Sequence, residues 1–453
     1  MAVNDFTEFF VRTDGADTNG GGTDDAAATY TSADATVAGG TPTQITDNAA
    51  TWGSPSVGDK IQWDTAGVQE LAVITVVAGA VITVDRSLTP GANKSASIGG
   101  AWDTINFATQ NLEADMRNAT DDPVRDNIKA GTYAEQPTVA NGGSSQFTIT
   151  HQGYVSNPGD QPARGSQPII DGTGIAGSST WLGGGQIYIN LKDVYVKATT
   201  ASTDGVGSAG NHCSAIRVRA SASDGSGDGI SMGGTSCLID QCCVDLAGRR
   251  GILAGGTNAV VKNSVVSHWG DVGILLGVNG VADNNLIFDG NGHGITFTSD
   301  TLSACGNTIF DIVGSCLHFF DLDTDTRPLI DNNIFAGWTD FAVSSSGVDD
   351  VLPLITHTAT WDSKSTGQLF NHVTATEDMV VLSADPFVNS AAGNFNLNTT
   401  SGGGADCRAA GFPGDMDGTN IGFRDIGALQ HEDSGGGGGS GGTRVIGPGM
   451  VIG

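Results

Sequence analysis

Asp228-Gly229-Ile230, Arg250-Gly251-Ile252, Val272-Gly273-Ile274 and His293-Gly294-Ile295 repeat one phrase, with glycines 22, 22 and 21 residues apart. Between them a second phrase recurs as Ile239-Asp240-Gln241, Val261-Lys262-Asn263, Ala282-Asp283-Asn284, Cys305-Gly306-Asn307 and Ile330-Asp331-Asn332, its third position stepping by 22, 21, 23 and 25. Two residues after each stands Cys243, Val265, Leu286, Ile309 or Ile334. Two columns that drift together mark a true repeat. A period of about 22 residues is too short for a helical pair, and leucine-rich spacing is absent. Short segments rich in Val, Ile and Phe, broken by Gly, Asn and Asp, suit one coil of a β-solenoid with two or three strands. Coils then stack about 4.8 Å apart, each pairing its backbone with its neighbours. The glycines are expected at corners, where positive φ or close packing is required, and the Asn column is expected to form a structural ladder against adjacent backbone.

Composition agrees with this reading. The chain has 453 residues, 68 of them glycine, with 38% apolar and 15% charged residues. Glycine has no strict three-residue period and proline numbers 13, which excludes collagen. Acids outnumber bases 49 to 20 for a net charge of −29, which argues against nucleic acid as a partner. The apolar run from Leu71 to Val84 is too short for a membrane span and reads as two strands joined by a turn. The N-terminus Met1-Ala2-Val3-Asn4-Asp5-Phe6 carries no Sec-type signal. Seven cysteines without a Cys-x-x-Cys pair disfavour a disulfide framework or zinc site, and Cys243 at an apolar repeat position reads as a buried thiol.

Upstream of the repeats, residues 102–118 read as the one helix, with Ile105, Ala108, Leu112 and Met116 on one face and Asp103 near its start. Open solenoid ends need a cap, and this helix is placed to be one. It is followed by Ala130-Gly131-Thr132-Tyr133-Ala134-Glu135, and the far end carries Asp385-Pro386-Phe387-Val388 and Arg424-Asp425-Ile426-Gly427-Ala428-Leu429-Gln430. On these phrases the chain resembles the right-handed parallel β-helix, or pectate-lyase-like, superfamily. The resemblance implies an all-β fold, a right-handed parallel β-helix over residues 100–431. That superfamily includes polysaccharide lyases and hydrolases, phage tailspikes and fibres, and surface proteins without known chemistry.

Residues 1–22 look like the superfamily's first strand and glycine turn. Residues 23–99 read as a small inserted β module, with Gly58-Asp59-Lys60-Ile61-Gln62-Trp63 and the strands ending at Asp85-Arg86. Residues 432–453 comprise a Gly/Ser linker and the apolar Val445-Ile446-Gly447-Pro448-Gly449-Met450-Val451-Ile452, which on a tether could dock by strand addition.

Stacking the coils gathers charged turn residues on one strip. Arg250 and His293 precede the column glycines; His268, Asp289 and Asp311 lie four positions further back, with Arg249 and Asp271 between. Neighbouring carboxylates suit acid–base attack on a glycosidic bond, and an Arg or His base suits β-elimination. Asp271, Asp289, His293 and Arg250 are therefore the catalytic candidates. Gly292-His293-Gly294 is similar to the Gly-His-Gly segment of polygalacturonases, which would make His293 an active-site histidine. No Asn-x-Asp or Asp-Asp stands in the preceding coils, and no Arg-Ile-Lys follows. Trp269 and Trp338 are candidate sugar platforms, with Arg249 and His268 beside them. Asp321, Asp323 and Asp325 alternate as in a calcium loop, but Thr326 and Asn332 stand where an EF-hand needs glycine and glutamate. No cofactor is required, and calcium is the one metal to consider.

Two functions are compatible with these features. The favoured one is a virion-associated phage appendage that binds host glycan, assembled in the host cytoplasm. It would attach to other virion proteins through the N-terminal module or C-terminal peptide, as a homotrimer in the manner of such appendages. The alternative is a polysaccharide lyase or glycoside hydrolase exported by a non-Sec route.

Overall fold

Corners built from left-handed residues turn the chain from strand to strand. In the computed structural model the described residues are 7–49, 52–65, 68–113, 123–198, 203–223, 225–299, 302–320, 327–346, 353–362, 368–373, 376–408, 410 and 425–429. They fall into two units, Met1–Ile175 with Thr180–Tyr195, and Ala176–Ser179 with Val196–Gly453.

In the second unit each complete coil contributes three short strands, for example Val281–Asp283, Leu286–Gly290 and His293–Phe297. Each strand pairs in parallel with its equivalent one coil away. Ile230, Ile252, Ile274, Ile295, Leu317 and Val343 stack in one register and are fully buried. Gln241, Asn263, Asn284, Gly306, Asn332 and His357 all hold φ between 45° and 66°. Asn tolerates this region because its short polar side chain bonds locally, and Gly because it lacks a Cβ.

The expected Asn column is in fact two adjacent columns. Pairing of Asp283 with Cys305 places Gly306, not Asn307, at the left-handed corner. Asn307 belongs one position later, with Cys242, Ser264, Asn285, Asn333 and Thr358. There each backbone N–H donates to a side-chain oxygen of the next coil: Cys242 to Ser264 at 3.2 Å, Ser264 to Asn285 at 3.0 Å, Asn285 to Asn307 at 3.0 Å and Asn307 to Asn333 at 2.9 Å. The amide groups of Asn285, Asn307 and Asn333 donate back to the carbonyls of Val261, Ala282 and Ala304. The ladder is fully buried at its three asparagines. The phrase slips because a corner that needs a left-handed backbone accepts Gly as readily as Asn.

Of the two causes expected for the glycine column, positive φ and close packing, the second holds, and Gly251, Gly273 and Gly294 lie within strands rather than at corners. A Cβ on Gly251 would overlap Val266 and approach the carbonyl of Gly273 at 2.7 Å. Gly229, Gly251, Gly273 and Gly294 are there for close packing across the core, and none holds a positive φ.

The outer face of the sheet built from Cys243–Ala247, Val265–Trp269, Leu286–Gly290, Thr308–Ile312 and Ile334–Trp338 is covered by the chain's own C-terminal region. Cys243, Val265, Leu286 and Ile334 pack with Phe387, Phe395, Leu397, Cys407 and Ile426. Ala428 N–H donates to Thr308 Oγ1 at 3.0 Å and Gly427 N–H to the Asn332 carbonyl at 2.9 Å. All seven cysteines are free, and Cys243 is buried.

In the first unit Thr7–Val11 pairs in parallel with Val124–Lys129, which pairs in turn with Ile149–Tyr154. The helix is shorter than its periodicity predicts. It runs Ile105–Asn111, Leu112 is already extended, and residues 114–122, with Met116, lie outside the described set. Its N-cap is Thr104, with Asp103 just before it. Glu135 accepts from the Ile105 and Asn106 N–H groups, both at 2.8 Å, which ties the Ala130–Glu135 phrase to the helix. Six strands, from Tyr30–Val37 to Gly91–Ile98, close an antiparallel barrel around Ile45, Ile61, Trp63 and Ile82.

Two substitutions test this account of the corners. Asn307→Ala strips both neighbours of buried partners and should lower unfolding free energy by about 3 kcal/mol in urea. Leu246, exposed and held at φ 66°, should accept glycine with a gain of about 1 kcal/mol.

Candidate functional site

The strip of charged residues expected from coil stacking divides into three places. Near the ends of the strands Cys243–Ala247, Val265–Trp269, Leu286–Gly290, Thr308–Ile312 and Ile334–Trp338, the fourth residues Leu246, His268, Asp289, Asp311 and Gly337 share a left-handed backbone. His268 sits between two carboxylates, Nδ1 at 3.0 Å from Asp245 and Nε2 at 3.0 Å from Asp289. Both ring nitrogens of His268 and one oxygen of Asp289 are thereby engaged on exposed surface.

Trp269 and Trp338 are not sugar platforms. They are 1% and 2% exposed. Side chains alternate along a strand, but the left-handed residue just before each tryptophan, His268 or Gly337, reverses the alternation and turns the indole inward. Trp269 Nε1 donates to the His293 carbonyl at 3.1 Å, anchoring the start of the next strand from inside.

Arg249 and Arg250 converge on Asp228, which is fully buried. Arg249 donates through Nε and Nη2 at 3.0 Å each, and Arg250 through Nε at 3.0 Å and Nη2 at 2.7 Å. A carboxylate at zero exposure is stable only with partners of this kind. The hydrogen bonds to Asp228 raise the Arg249 pKa further above its ordinary value. Arg250 is thus a counter-ion, which overturns its assignment as a base.

His293 stands apart from both groups, on the strand His293–Phe297. Its ring stacks on His318 of the following coil, with centroids 4.2 Å apart and planes 7° from parallel. The pair lies in a pocket of about 380 Å³ lined by Asp271, Val272, Leu275, His293, Thr296, Thr298, His318 and Phe320. Asp271 is exposed at its edge, and Phe320 is 56% exposed. Stacking in register supplies the second column: Leu275, Thr296, His318 and Ser344 follow one another coil by coil.

The hydrogen bonds assign different tautomers to the two rings. Ser315 N–H donates to His293 Nδ1 at 3.1 Å, which leaves the neutral ring's proton on Nε2. Ser344 donates its hydroxyl to Ser315 Oγ at 2.8 Å, so its oxygen accepts from His318 Nδ1 at 2.9 Å and leaves the Nε2 lone pair open. Burial lowers the pKa of both. For His293 the negative charges of Asp340 and Asp271 oppose that shift. For His318 burial and then the neighbouring His293 bring it down to about 4.

Of the four catalytic candidates, Asp271 and His293 share the pocket; Asp289 and Arg250 are held elsewhere. Thr296, Thr298, His318 and Phe320 complete it; His318 and Phe320 read from the sequence as partly exposed, but their place beside His293 is set by the coil register. Asp321, Asp323 and Asp325 lie outside the described residues. Among the described residues no three His, Cys, Asp or Glu side chains converge as metal ligands, and no helix is long and apolar enough to cross a membrane.

Residues 202–349 match the family described as "Right handed beta helix region". That region of the chain is a right-handed β-helix, within an all-β fold built on a parallel β-solenoid. No curated protein matches the chain in sequence. Among solved structures it is similar to the pectate lyase Pel9A, at 12% identity and a TM-score of 0.46 over 73% of this chain and 91% of that one. Another is the catalytic unit of a thermostable GH87 α-1,3-glucanase from Streptomyces thermodiastaticus strain HF3-3, at 10% identity and 0.35 over 73% and 86%.

The buried imidazoles give this β-helix an acid-sensitive feature. An unfolded histidine titrates near ~6.5, whereas folded His318 titrates at about 4. Between those values the unfolded chain binds a proton that the fold refuses, so the contribution is neutral above about pH 7 and increasingly destabilising toward pH 4. His318→Gln should shrink the stability difference between pH 7 and pH 4.5 in urea titrations. An unchanged difference would show that the ring is solvated.

Proposed function

We propose that this β-helix recognises carbohydrate in the His293–His318–Phe320 pocket and serves as a glycan-binding appendage of a bacteriophage virion. The lining carries the reading. Val272, Leu275 and Phe320 offer apolar surface to the C–H face of a sugar ring, while Asp271, Thr296, Thr298 and the two imidazoles offer polar atoms to its hydroxyl edge. The antiparallel barrel has its own core and is suited to attachment to other virion proteins, with the C-terminal peptide as a second point of attachment.

The same lining favours recognition over turnover. Asp271 is its one carboxylate, so a flanking acid pair for glycoside hydrolysis is not present in the pocket. An imidazole held near 4 is a weak base at neutral pH, which disfavours β-elimination.

Mass spectrometry of purified particles from the source should detect the chain; its recovery solely as free protein would remove the virion assignment. On immobilised glycans, His318→Ala should weaken retention by roughly tenfold, the equivalent of about one hydrogen bond. Release of reducing or unsaturated ends from a polysaccharide would replace recognition by catalysis.

A further inference from the structure

Three properties of the pocket bear on which sugars it takes. The first is an orphaned hydroxyl. Thr296 is 4% exposed, lines the pocket, and its Oγ1 has no hydrogen-bond partner. Its flanking register partners are Leu275 and His318, so the vacancy is set between an apolar wall and an imidazole. A buried hydroxyl left without a partner carries a desolvation cost that an incoming polar group can relieve.

The second property is the opposed chemistry of the two rings. His293 presents an Nε2–H donor and His318 an Nε2 acceptor, and the rings are stacked 4.2 Å apart. A hydroxyl both donates and accepts, so neighbouring sugar hydroxyls can satisfy both nitrogens at once. A carboxylate cannot, because it only accepts and would oppose the His318 lone pair.

The third is charge. The nearby arginines, Arg249 and Arg250, are committed to buried Asp228. The charges acting on His293 are those of Asp340 and Asp271, both negative. Nothing among the lining residues supplies a free cation to a uronate. Pocket and ligand would carry like charge.

Resting on the carbohydrate reading, we infer that this site selects neutral sugars through the Thr296, His293 and His318 polar triad, and excludes uronates and other acidic sugars. Asp271 is the residue that enforces the exclusion, and Thr296 rewards a hydroxyl at the pocket floor.

The test is binding of the full chain at pH 7 to an array of neutral and acidic oligosaccharides. The neutral set contains glucose, galactose, mannose, rhamnose and N-acetylglucosamine; the acidic set contains galacturonate, guluronate, glucuronate and sialate. A neutral member should bind at least about tenfold more tightly than its acidic counterpart, a gap of about 1.4 kcal/mol. Asp271→Asn, a change at an exposed position, should narrow that gap severalfold with unchanged unfolding. Thr296→Val should weaken the neutral ligand severalfold and leave circular dichroism unaltered. Equal or tighter binding of uronates, lost in His318→Ala, would overturn neutral selectivity while keeping carbohydrate recognition. Retention of neither set would overturn both.

Discussion

A backbone N–H buried at a corner must find an acceptor, and the β-helix depends on how it does so. After each left-handed residue the next N–H is met by a side-chain oxygen from the following coil, through Ser264, Asn285, Asn307 and Asn333. Asparagine is suited to this because its oxygen takes that N–H while its NH₂ returns a bond to a carbonyl of the coil before. Each amide therefore bridges coils in both directions. The ladder ends where the amide is replaced by a hydroxyl: Ser264 and Thr358 accept from one side but donate within their own coil.

A register held this tightly makes every outward position a column with a fixed neighbour. The pocket arises where two such columns change character together. Leu253 and Leu275 give way to Thr296, His318 and Ser344, while Arg250 and Val272 give way to His293 and Ser315. The change also moves the charge: Arg250 belongs to buried Asp228 one coil earlier and leaves the pocket without its positive partner. Trp269 fixes the start of the His293 strand from the core side. The site is thus a local substitution pattern on a lattice that would form without it.

What was legible in the sequence follows the same division. Repeats were legible because the ladder and the core impose periodic residue types, and both phrases recur for that reason. The assignment of Asn307 to the corner column failed because Gly306 meets the same backbone demand. The tryptophans misled because a left-handed residue inverts strand alternation, and His268 gives no sequence signal for φ of 55°. Arg249 and Arg250 misled because spacing shows which charges are near one another, but not that Asp228 is buried beneath them. The apolar positions Cys243, Val265 and Leu286 are legible as a recurring column, but what buries them is not, because it is a return of the chain from more than a hundred residues away.

Preorganisation is what the rigid lattice adds to the pocket. A free imidazole samples two tautomers, and a ligand that needs one of them must pay to select it. Here Ser315 N–H and the Ser344 hydroxyl make the choice before any ligand arrives, in opposite senses for the two rings. Ser315 donates to one ring and Ser344 accepts from the other, and each sits one coil later than the ring it orients, so the interactions that stack the solenoid also set the polarity of its surface. A sugar meeting His293 and His318 encounters a donor and an acceptor already in place. Discrimination among sugars then depends on where their hydroxyls lie, because the protein has little freedom left to adapt.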